Sequence, residues 1–153
     1  MASWVVKIAA AAVLVGLMGG GATAQTPKPM TESQMKSAGG RQLPGAEIKR
    51  QYLGNTVYVL LLKDSSGGAK AGSVFPLYHR DERVRIARTP LASRLEANWW
   101  IDGNSYCNEQ RVMNAGHQCY TAYDMAGTLW LCLQPAGDCL FTGRIVPGNP
   151  EGF

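Results

Sequence analysis

The side chains best placed to do chemistry are four cysteines (Cys107, Cys119, Cys132, Cys139), two histidines (His79, His117) and arginines at 80, 83, 85, 88 and 94. The cysteines are separated by 11, 12 and 6 residues. Zinc knuckles bring their thiolates in as closely spaced pairs, and thiol redox centres use Cys-x-x-Cys, so neither spacing is present. The expectation is two disulfides and no metal. Four cysteines allow three pairings. Hairpin geometry favours Cys107 with Cys119 and Cys132 with Cys139, because each pair falls on consecutive strands where facing residues come within disulfide reach. Closing loops of this size contributes roughly 2 to 3 kcal/mol each in the chain-entropy model.

The histidines lie 38 residues apart with no third ligand spaced to join them. No Gly-x-Ser-x-Gly elbow marks a nucleophile. Asp81 and Glu82 are adjacent, so on a strand they point to opposite faces, and Asp102 in Asp-Gly-Asn reads as a turn former. No catalytic residue and no cofactor are assigned. Arg83 and Arg85, two apart, are expected on the outer face of a strand with Val84 and Ile86 inward. Together with Arg88 and whichever of Trp99 and Trp100 is exposed, they form the candidate binding surface.

These residues must be positioned by a chain of 153 residues, 46% hydrophobic and 17% charged, which is enough for one globular domain. Residues 1–24 read as a signal peptide: Lys7, an apolar run from Ile8 to Met18, three glycines and Ala22-Thr23-Ala24 before the cut. The apolar run is too short to span a bilayer, so no membrane span remains after cleavage. Removing this segment takes away Lys7 and leaves a net charge of +3, too mild for a nucleic-acid binder. Residues 25–44, with three prolines and two glycines, read as a flexible linker.

From residue 45 to 153 the pattern is a folded domain. A short helix is expected over 46–53, ended by Gly54. Strands are expected over 56–63, 73–78, 83–87, 95–101, 105–112, 117–123, 128–133 and 139–146, separated by Gly, Asn, Asp and Pro turns. Pro76 marks an edge or bulge in the second of them. Seven or eight short strands at intervals of 8 to 14 residues predict a mainly β fold, a small antiparallel β-barrel or sandwich with one short N-terminal helix.

Leu53-Gly54-Asn55-Thr56-Val57 after the helix, Trp99 or Trp100 upstream of Cys107, then Cys119 and a Gly143-x4-Gly148-Asn149-Pro150 ending, resemble a group of small exported proteobacterial β-domain proteins of unknown function. The resemblance covers residues 45–152. Here the tyrosine-rich middle of that group is replaced by the arginine stretch, and Cys132 with Cys139 is an additional pair. The resemblance implies a compact antiparallel fold of the lipocalin kind and no catalytic residues. The expected function is therefore a periplasmic or secreted, monomeric, non-catalytic binding module of the cell envelope. Its partner would be an envelope component or an acidic protein. The alternatives are an inhibitor or effector that presents the Cys132–Cys139 loop to an enzyme, and a small-ligand carrier, which a deep apolar pocket would favour.

Overall fold

A computed structural model describes residues 26–89, 92–109 and 116–153. Residues 1–24, expected as a signal peptide, lie outside the described residues, as do residues 110–112 at the end of the fifth expected strand. The chain order is β1 (Met30–Thr31), α1 (Glu32–Ser37), β2 (Arg41–Gln42), α2 (Gly45–Tyr52), β3 (Thr56–Leu61), β4 (Val74–His79) and β5 (Val84–Thr89). There follow β6 (Ala92–Asp102), β7 (Ser105–Glu109), β8 (His117–Met125), β9 (Thr128–Leu133) and β10 (Asp138–Val146).

Each strand from β3 to β10 pairs antiparallel with its neighbour in sequence, and β10 returns to pair with β3 from Phe141↔Leu61 to Val146↔Thr56. The sheet thus closes into an eight-stranded up-and-down barrel with no open edge among these strands. Alternation sorts the residues: Val57, Val59, Trp99, Tyr106, Tyr120, Leu129 and Leu131 point inward and are buried in one core cluster. Pro76 lies one residue beyond the last β4–β5 pair, Leu77↔Ala87, where β4 has left that ladder and no amide hydrogen is needed. Gly143 of β10 passes so close to the Tyr58 carbonyl of β3 that a Cβ would collide with it, so glycine is required there.

α2 closes one end of the barrel. Ile48 and Tyr52, four apart and therefore on one helical face, are both fully buried against the inner cluster. The helix begins at Gly45, whose amide donates to Asn104 Oδ1 at 3.0 Å, and a Cβ on Gly45 would run into the Gly103 carbonyl in the β6–β7 turn. It stops at Gly54, which adopts φ +74°.

The expectation of a flexible linker over 25–44 needs correction. From Met30 this segment is built onto the barrel. Thr31 caps α1 with a reciprocal capping box to Gln34, Met35 is fully buried, and Leu43 joins the inner core. Met35 seals a second cluster with Leu62, Tyr123, Trp130, Cys132 and Cys139 on the outside of the barrel wall. One turn of helix can bury a single methionine fully because the wall already presents an apolar patch to receive it. Composition hid this, since the segment's few apolar residues are placed where the barrel supplies their partners.

Both disulfides are formed, Cys107–Cys119 and Cys132–Cys139, each between facing residues of adjacent strands. They are compatible with an oxidising, extracytoplasmic setting. Among the described residues no helix is long and apolar enough to cross a membrane.

Candidate functional site

Inside the barrel, on the side of the inner core away from α2, lies a cavity of about 290 Å³. Its wall is apolar over most of its extent: Val59 and Leu61 from β3, Phe75 and Leu77 from β4, Ala87 from β5, Leu95 from β6, Leu131 from β9 and Phe141 from β10. The room exists because the strands do not all contribute bulk. Ala87 is small, and Thr89 follows it on the same face of β5. The 62–73 connection between β3 and β4 covers the far end with Ser65, Gly67, Gly68 and Ala69. It is folded on itself, with Asp64 Oδ1 accepting from the Ala71 amide at 2.9 Å and Ser65 Oγ from the Ala69 amide at 3.1 Å.

The floor is aromatic. Trp99, Tyr106, Tyr52 and His79 pack ring against ring, with His79 4.8 Å from Trp99 and 4.9 Å from Tyr52 between centroids. The Trp99 indole donates to the Asp81 carbonyl at 2.8 Å, and His79 Nε2 lies 3.1 Å from the Tyr106 hydroxyl. Burial, reinforced by the Arg85 charge, pushes the His79 imidazole down from 6.5 to about 3. Burial likewise pushes the Tyr52, Tyr106 and Tyr120 phenols up. The floor is therefore uncharged at neutral pH.

Between floor and apolar wall stands one cation. Arg85 pairs with His79 on β4 and Ala97 on β5's other neighbour, β6, and so points into the barrel, where it is only 5% exposed. Its Nη2 donates to Asn108 Oδ1 at 3.2 Å and to the Glu109 carbonyl at 3.1 Å, while its buried Nε has no partner. All eleven carboxylate side chains belong to described residues, and none lies within ion-pair distance of the Arg85 guanidinium. A guanidinium held away from water without a counter-charge is an expensive arrangement.

The five residues expected to share a surface are dispersed. Arg85 and Trp99 are inside the barrel. Arg83 is exposed in the turn before β5, its amide bonded to Asp81 Oδ1 at 2.8 Å. Arg88 is outside but engaged, 2.8 Å from Glu151 and stacked over the Phe153 ring. Trp100 faces outward beside His117, with ring centroids 5.8 Å apart. The expected facing of β5 is thus reversed, since Arg85 points in and Ile86 points out. Ile86 is nevertheless fully buried, on the face where the C-terminal residues lie: Gly148 accepts from Thr56, and Glu151 bonds both Tyr58 and Arg88. With both faces of the strand covered, alternation of charged and apolar residues no longer reports which side is the interior.

Sequence reasoning missed Asn108, Tyr120 and Phe141 as cavity residues. A polar Asn108 directly after Cys107 on β7 was the available signal, but nothing local says that it faces Arg85. Among the described residues no three metal-ligating side chains converge. Compared with protein-family models, curated proteins and solved structures, the chain matches none, so the family resemblance rests on its motif residues alone.

Proposed function

We propose that this chain is an exported binding protein that holds a small, mainly apolar molecule inside its barrel. The observation that carries the reading is the cavity of about 290 Å³, close to the lower end of typical ligand sites and walled by aliphatic and aromatic side chains with a few convergent polar groups. The closed antiparallel wall and the two disulfides support a preformed site, which reduces the ordering cost of binding. Work outside the cytoplasm, in the periplasm or beyond, accords with the disulfides and the signal-peptide pattern of residues 1–24.

Two observations weigh against the other two readings. A contiguous arginine and tryptophan surface has no support when Arg85 and Trp99 line the interior. The Cys132–Cys139 turn, offered as an inhibitory wedge, lies against α1, where the Gly137 carbonyl accepts from the Glu32 amide at 2.7 Å and Gln134 donates to Glu32.

Fluorescence titration with the neutral apolar dye N-phenyl-1-naphthylamine tests the reading. Saturable one-to-one binding is expected in the wild-type protein, with loss in Ala87→Phe, which fills the cavity. Absence of saturable binding, or binding untouched by the filled cavity in a folded variant, would contradict it.

A further inference from the structure

We infer that the ligand of this barrel is a monocarboxylate, an apolar body bearing one acid group that is received by Arg85. The inference rests on the cavity being the ligand site and adds what the site demands of its occupant. Among the described residues Arg85 is the only charged side chain in the cavity wall, and its neighbours there, Asn108, Tyr106 and Tyr120, are neutral. Its bonds to Asn108 and the Glu109 carbonyl hold the guanidinium in place without neutralising it, and its Nε–H is left over. An anion brought in by the ligand supplies the missing counter-charge and the missing acceptor together. The planar fork of arginine matches a carboxylate, and a single cation with no second basic group beside it among the described wall residues suits one negative charge rather than a phosphate dianion.

The register also orients the ligand. Arg85 lies near the start of β5, level with Ala97, directly above the His79–Trp99–Tyr106 floor. Phe75, Leu95 and the 65–69 turn lie toward the opposite end. The acid group therefore points inward to the floor, and the apolar body extends toward the 62–73 connection. The neutral floor matters here, because a second charge beneath Arg85 would compete with the ligand's acid group or repel its cation.

Calorimetric titration of the full protein with four eight-carbon probes decides the matter: octanoate, octanol, octylamine and octyl phosphate. Octanoate is expected to bind at least about tenfold more tightly than octanol, with octylamine weakest. In Arg85→Met the octanoate advantage should vanish while octanol binding persists, and the unliganded variant should melt no lower than wild type, because a buried unpaired charge has been removed. Equal binding of octanoate and octanol, a preference that survives in Arg85→Met, or tighter binding of octyl phosphate would overturn the carboxylate assignment. Continued binding of octanol would then leave the cavity reading standing. If neither octanol nor octanoate binds, both fall. The ranking in the wild-type protein is decisive even if the variant does not fold.

Discussion

At the scale of single residues, the interior is defined by what is charged and what is kept from being charged. His79 is fully buried among Tyr52, Trp99, Tyr106 and Arg85, and its imidazole titrates at about 3 in the folded protein against 6.5 for the free side chain. The folded value is the lower one, so protons bind the unfolded chain preferentially once the pH drops below 6.5. Stability from this group is complete above that value and declines as the pH falls toward 3, by up to about 1.4 kcal/mol per unit. Denaturant unfolding at pH 7.5 and 5 should show a loss of about 2 kcal/mol in the wild type. His79→Phe, which keeps a ring on the floor, should lose much less over that interval. This window lies above the range in which Glu32, Asp64 and Asp81, whose carboxyls are held low by their hydrogen bonds, begin to protonate. An unchanged pH dependence in the variant would mean that His79 takes up its proton as readily in the folded protein as in the unfolded chain.

Elements show where sequence reading succeeds and where it stops. Strands β3 to β10 were legible, because β-branched and aromatic runs alternate with Gly, Asn and Pro turns, and their order follows from hairpin connection alone. Both disulfide pairs were legible for the same reason. The facing of β5 was not, because Arg85, Ile86 and Ala87 are all buried, Ile86 on the outer face where the distant residues 148–153 lie. Nor was the packing of residues 30–43, where a single methionine at the centre of a capped turn fills a pocket formed by Leu62, Tyr123, Trp130 and a disulfide. Met35→Ala should therefore destabilise the protein by about 2 to 4 kcal/mol in denaturant unfolding. Dye binding inside the barrel should be retained, since Met35 lies on the outside of the wall. A change below about 0.5 kcal/mol, the level of a surface substitution, would restore the linker reading of this segment.

As a whole molecule the chain is a barrel plugged at one end by α2, clasped on the outside by α1 and the C-terminal residues, and hollow toward the 62–73 connection. Plug, clasp and staples all act on the wall, in which Val59, Tyr106, Tyr120 and Leu131 are nearly inaccessible to solvent. The one charge among the described residues of that interior, Arg85, and the aromatic floor beneath it give the hollow a direction. The central claim is that a ligand sits there rather than on the surface, and intermolecular NOEs between bound octanol and assigned methyl groups test it most directly. Contacts are expected to the methyls of Leu77, Leu95 and Leu131, which line the cavity. Contacts confined to the exposed Val74 and Leu53, with none inside, would contradict it.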